Sequence, residues 1–293
     1  MYWFVKAFLC QYARMYLERD QQGDREKAYD LLNQALEIYQ KLRAKRDIEA
    51  TEAKLMQIEG RQVVSEPKPI DYVATGYADL DRLLYGGIPS NDAVVLTSPS
   101  CNERDMLVKS FLETGTKNGE VTFYVTIDAS AAKALAEKLG SNLHFFVCNP
   151  EADAIIKSSA NVHTLKGVEN LTNISIALTQ AIRQLDSSAK GPRRICLGLV
   201  SDVLLQHHAV EARRWLTALV TKLKSEGFTT LAVVDPTMHP SEELHAVSGF
   251  FDGEIEIYER KTEKGPEKFL KINRMSSQKY IEEELSLRRE NLK

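Results

Sequence analysis

The sequence predicts an α/β fold, a mainly parallel central sheet covered on both faces, preceded by a small all-α segment. Three observations predict it. Apolar runs rich in β-branched and aromatic residues alternate with helical patterns after residue 70, helical periodicity alone fills residues 1–60, and a break with two prolines separates them.

The helical segment comes first. Phe8, Tyr12, Met15 and Tyr16 recur at helical spacing. Gly23-Asp24 breaks the chain and restarts it, with Asp24 a candidate N-cap. A second helix sets Tyr29, Leu32, Ala35, Leu36, Tyr39 and Leu42 on one stripe, and a third carries Ile48, Ala53, Leu55 and Ile58. The stretch from Gly23 to Tyr39 resembles a tetratricopeptide-type unit. A single such unit cannot bury its apolar face alone. It needs the neighbouring domain, a second chain or further repeats, and the aromatic start at Tyr2, Trp3 and Phe4 fits a cut edge as well as a docked hairpin.

Residues 61–69, with Pro67 and Pro69, read as a linker. Beyond it, strands are expected at Ala93–Thr97, Val121–Ile127, Leu143–Cys148, Ile195–Val200 and Thr229–Val234. Helices are expected between them, at about 104–117, 130–139, 172–186 and 210–226. Two late strands, near 253–259 and 268–274, meet through Lys264-Gly265-Pro266 as an antiparallel hairpin. The domain so defined spans 70–276, and 277–293 reads as a charged surface tail.

Composition narrows the function. With 293 residues, 43% hydrophobic and 27% charged, the chain is an ordinary globular protein, and a net charge of −3 gives no argument for nucleic acid or an anionic membrane. Cys10, Cys101, Cys148 and Cys196 lie far apart, so neither a disulfide framework nor a zinc site is expected, and a reducing cytoplasm is the default. Lys6 and Arg14 interrupt the apolar start, which reads as the buried face of a helix and not as a spanning segment or signal peptide.

One ordered series of fragments carries a resemblance. Thr75-Gly76, Leu80-Asp81, Leu83-Leu84 and Gly86-Gly87-Ile88-Pro89 lead into the first core strand. Tyr124-Val125-Thr126, Ser201-Asp202-Val203-Leu204-Leu205, Thr229-Thr230-Leu231 and Phe251-Asp252-Gly253-Glu254-Ile255 follow in order. Over residues 70–276 the chain resembles the RecA/KaiC-like ATPase domain, a P-loop NTPase fold, and specifically its archaeal-type signal-transduction relatives. The resemblance implies hexameric rings for active members, with nucleotide held between subunits.

It also implies a phosphate loop of the form G-x-x-x-x-G-K-[ST], whose glycines let backbone N–H groups cradle phosphates and whose hydroxyl binds Mg²⁺. This chain has Ser98-Pro99-Ser100-Cys101-Asn102-Glu103-Arg104-Asp105 there. Ser98 and Glu103 stand for the glycines, Arg104 for the Lys and Asp105 for the hydroxyl. Two of these put negative charge beside a polyanion, and Glu103 has a Cβ that a glycine-type backbone tolerates poorly. Gly198 occupies the position of the Mg²⁺-holding acidic residue. Asp128 is what remains of the paired glutamates that orient water, and Arg274 keeps half of the basic pair that reaches a neighbouring subunit's nucleotide.

Other candidates read blandly. His207-His208 is expected at a solvated helix start, Cys101 as a small loop residue, and Arg193-Arg194 and Arg213-Arg214 as solvated charge. Asp235 sits where the family senses nucleotide, or else caps the loop from Pro236. The expectation is therefore a catalytically inactive pseudo-ATPase, a regulatory or scaffold protein in signal transduction, with no cofactor and no metal. The alternatives are a switch that holds ATP or ADP weakly without turnover, and a divergent active ATPase using Arg104 and Asp128. Expected partners are proteins, through self-association or a related active ATPase; neither nucleic acid nor membrane is expected.

Overall fold

The computed structural model describes residues 2–19, 23–41, several positions between 44 and 55, 71–139, 142–185, 191–262 and 265–287. The chain forms two compact units, Met1–Pro69 and Ile70–Lys293.

In the first unit, helix α1 (Tyr2–Arg19) and helix α2 (Asp24–Lys41) form a hairpin. Ala13, Ala28, Leu32 and Leu55 make its core, the alanines letting the backbones approach closely. Gly23, at φ +83°, supplies the left-handed turn between the helices. Asp24 is buried and takes the Arg19 guanidinium through two bonds of 2.7 and 2.6 Å. Positions 47, 48, 50, 51, 54 and 55 are helical. Ala53, Ile58 and the linker 61–69 lie outside the described residues, as do the side chains of Tyr2, Trp3 and Phe4.

The second unit opens with a two-stranded ribbon, β1 (Tyr72–Val73) against β2 (Ile88–Pro89), with helix α3 (Ala78–Leu83) between them. Strand–helix alternation follows: β3 (Ala93–Thr97), α4 (Asn102–Lys117), β4 (Val121–Thr126), α5 (Ala129–Ala136), β5 (Leu143–Cys148), α6 (Ala152–Ile155) and β6 (Val162–Leu165). Then come α7 (Leu171–Gln184), β7 (Arg193–Leu197), α8 (Val200–Ser225), β8 (Phe228–Val234), a 3₁₀ turn (Pro236–Met238) and α9 (Ser241–Ser248). A long hairpin, β9 (Gly253–Thr262) and β10 (Gly265–Met275), precedes a short strand β11 (Leu285–Ser286).

The main sheet has nine strands in the order β11-β10-β9-β3-β8-β7-β4-β5-β6. Its strands pair in parallel from β9 to β6, and β10 and β11 add antiparallel. Because strand side chains alternate, Phe145 and Val147 join one core while Phe146 and Cys148 join the core on the opposite face. That double burial is why these strands read as unbroken apolar runs.

Several boundaries differ from expectation. The strand expected at 195–200 begins at Arg193 and ends at Leu197, and α8 starts at Val200, not near 210, so Ser201–Leu205 lie on a helix. The edge strand β6 carries His163 and Thr164 and lacks the apolar run of a central strand. The tail is not simply a charged surface: β11 pairs with β10, and Leu285 and Leu287 are buried. His207-His208 is no helix start. The pair sits inside α8, where His208 (φ 57°, ψ 170°) breaks the helix and His207 Nε2 stands 2.8 Å from the Val168 carbonyl.

Candidate functional site

The fragments that open the α/β unit act structurally. The Asp81 carboxylate accepts from the Thr75 N–H at 2.7 Å, the Thr75 hydroxyl at 2.7 Å and the Gly76 N–H at 3.2 Å. Burial raises the Asp81 carboxyl, and these hydrogen bonds oppose the rise. Gly87, at φ +137°, has no room for a Cβ, which would meet the Val73 carbonyl. Arg194 is fully buried, so the solvated-charge expectation fails for it. Its guanidinium donates to Glu120, to the Ala74 carbonyl at 2.9 Å and to the Phe111 carbonyl at 2.7 Å, and lies over the Phe111 ring.

A cleft of about 610 Å³ opens at the C-terminal ends of β3, β4, β7 and β8. Ligands of open α/β sheets bind at this end. Ser100, Arg104, Asp105, Asp128, Gly198 and Asp235 all line it. Of the expected site residues, Ser98, Pro99, Cys101, Asn102, Glu103 and Arg274 are not part of that lining.

The loop after β3 turns into α4 without a left-handed residue: among the described residues only Tyr85, Asn91 and His208 are non-glycines at positive φ. Glu103 therefore sits in the first turn of α4, and the backbone cost expected of its Cβ does not arise. The loop is tied down by its own side chains. The Ser98 N–H donates to the Val234 carbonyl at 2.9 Å, and the Ser98 hydroxyl to the Pro99 carbonyl at 2.8 Å. Cys101 precedes α4 with extended backbone, its sulfur 3.7 Å from the Ser98 hydroxyl.

Arg104 folds back over the loop. Its Nε donates to Asp105 at 3.1 Å, one terminal nitrogen to the Ser100 hydroxyl at 3.2 Å, and the other faces Asp235 Oδ2 at 3.8 Å. Asp235 is buried at the end of β8, and its other oxygen accepts from the Thr237 N–H and hydroxyl at 2.9 and 2.6 Å. The cap reading of Asp235 and a charge contact with the loop thus coexist in one carboxylate.

Asp128 caps α5, accepting from the Ala131 N–H at 2.8 Å. Gly198, whose N–H donates to the Val125 carbonyl, has the Tyr124 ring against it. Burial pushes the Tyr124 phenol well above its usual range. Asp202, in the first turn of α8, is raised by burial, with His239 drawing it down. Arg274 lies away from the cleft lining and donates to the Ser248 carbonyl and the Ser276 hydroxyl.

Glu103 and Asp105 stand in the first turn of α4, Gly198 brings no carboxylate, and Asp128 spends an oxygen on a helix cap. Among the described residues, no three His, Cys, Asp or Glu side chains are grouped to hold a metal ion. Sequence reasoning missed the Tyr124 ring and the Arg104–Asp235 contact. No local signal announces either, since each joins residues far apart in the chain and on different elements.

A family model described as "ATPase: KaiC" matches residues 73–288, most of the chain. The chain belongs to the KaiC family of ATPases. A UPF0273 protein of Methanopyrus kandleri is 24% identical over 196 residues, covering 61% of this chain and 75% of that one. A UPF0273 protein of Pyrobaculum aerophilum is 26% identical over 164 residues, covering 53% of this chain and 56% of that one. This chain therefore spans little more than half of the second relative. Among solved structures, a KaiC-like protein of Pyrococcus horikoshii superposes with a TM-score of 0.56 at 16% identity, over 74% of this chain and 94% of its own. That likeness concerns the fold alone. No helix among the described residues is long and apolar enough to cross a membrane.

Proposed function

We propose that this KaiC-family domain has given up ATP turnover and serves as a regulatory or scaffold protein through contacts with other proteins. The observation that carries the reading is the pair Gly198 and Tyr124: a glycine follows β7 where the family's metal-holding carboxylate belongs, and an aromatic ring fills the space beside it. Phosphoryl transfer rests on positioning and electrostatic stabilisation, which a cleft with Asp105 in its wall and no metal-holding carboxylate at Gly198 lacks. The α1–α2 hairpin fits a tetratricopeptide-type unit, a surface for protein partners, and a role in signal transduction agrees with that. Four free cysteines, two of them buried, suit a reducing cytoplasm.

A weak nucleotide switch is the second reading, favoured by the cleft volume, which is in the range of small-molecule sites. Calorimetry with ATP and ADP, with and without Mg²⁺, separates the two, alongside a phosphate-release assay. Absence of binding at millimolar nucleotide supports the scaffold, and micromolar binding indifferent to Mg²⁺ supports the switch. Mg²⁺-dependent binding with phosphate release would sink both.

A further inference from the structure

After His208 the second half of α8 runs to Ser225, and its outer face forms one wall of a shallow groove of about 640 Å³. Val210, Thr217, Ala218 and Thr221 line it from α8, spaced to fall on one helical face, and Ala246 of α9 closes the far side. Val210 is 77% exposed, the most exposed large apolar side chain among the described residues. Arg213 and Arg214 are the charged residues of the lining, and the described residues offer neither an ion pair. No carboxylate lines the groove. It shares no lining residue with the cleft at the strand ends.

We infer that this groove docks an acidic amphipathic helix of a partner protein. Small side chains let a second helix approach closely, and a helix laid in a groove reads its host through apolar anchors at such spacing. Residues 209 to 221 span roughly 18 Å of helix axis, a length matched by a partner helix of roughly 12 residues. Two unopposed guanidinium groups beside an apolar floor complement carboxylates bordering an apolar face, since Arg recognises carboxylate in a bidentate manner. A nucleic-acid backbone fits less well: it needs many phosphate contacts, and the whole chain carries a net charge of −3. The inference rests on the protein-contact half of the proposed function and is independent of the loss of ATP turnover.

The test uses the full chain and two labelled synthetic peptides, titrated by fluorescence anisotropy. Both peptides are amphipathic helices with one Leu/Ala face; one has Glu along its borders and the other Lys at the same positions. The Glu peptide should bind saturably and the Lys peptide about tenfold or more weakly, the penalty of like-charge contacts. Arg213→Glu with Arg214→Glu should invert that order, and Val210→Asp should weaken the Glu peptide; circular dichroism checks that these surface variants fold. Equal affinity for both peptides, binding untouched by the charge reversal, or no saturable binding would overturn the inference. So would a dimer abolished by Val210→Asp, which gives the groove to a second copy, or binding of phosphatidylserine vesicles in place of the peptide.

Discussion

A Cβ placed on Gly198 would stand 3.3 Å from Tyr124 Cε2. Gly198 follows β7 directly, Tyr124 lies within the neighbouring strand β4, and the ring fills the space a longer side chain at 198 would enter. Gly198→Asp should accordingly lower stability by about 1–3 kcal/mol, through overpacking and the burial of a carboxylate beside the phenol. Urea denaturation reads the loss. Combined with Tyr124→Leu, the cost should be smaller than the sum of the single changes, because removing the ring opens the space. Strict additivity would mean the two side chains do not compete.

Arg194 joins β7 to the segment before α3 and to α4. Arg194→Leu leaves Glu120 buried and charged and strips two carbonyls of their donor. The expected loss is about 3–5 kcal/mol, and Arg194→Lys should rescue little of it because an ammonium cannot span the same fork. Gly115 belongs to the same arrangement, since a Cβ there would come 2.5 Å from Arg194 Cδ. Gly115→Ala should destabilise as well. A urea midpoint unchanged by either substitution would contradict the account.

Asp81 holds Thr75 and Gly76 through three hydrogen bonds. Asp81→Asn replaces one acceptor oxygen with a donor and should cost about 1–2 kcal/mol. Hydrogen exchange localises the effect: the Thr75 and Gly76 amides should exchange faster, while those of central β7 follow only the global change.

Burial lowers His144, His163 and His239 below the ordinary histidine value, and repulsion from His163 adds to the effect on His144. The folded chain then binds fewer protons than the unfolded chain near the ordinary value of 6.5, so stability is lost as pH falls through that value. Asp81, Asp92 and Asp202 are raised by burial and act with the opposite sign, regaining stability as they protonate toward their ordinary value of 3.8. A melting series from about pH 7.5 to about pH 5.5 should therefore show a decline, flattened in His144→Gln with His163→Gln. A flat series in the unsubstituted chain would refute the histidine contribution.

Local pattern sufficed for much of the fold. The central strands β3, β4, β5 and β8 are apolar because they are buried on both faces, and α4, α5 and α7 follow from helical periodicity between them. Where a segment is short, polar and at an edge, as in β6 and β11, the pattern is too weak to separate strand from loop. The start of α8 was hidden for another reason: only Gly198 and Leu199 part it from β7, the apolar Leu199 and Val200 prolong the strand-like run, and the break inside the helix falls on His208, a non-glycine at positive φ that local pattern does not mark.

The sequence by itself determined the alternation of central strands and helices and the family resemblance. Those follow from side-chain period and residue type, which are local properties of the chain. Only the tertiary structure decided what these residues touch: Arg104 against Asp235, Tyr124 beside Gly198, Arg194 buried under Phe111. Such contacts join residues from separate strands and helices, so their geometry is fixed by how the layers pack and by which buried polar groups must find a partner.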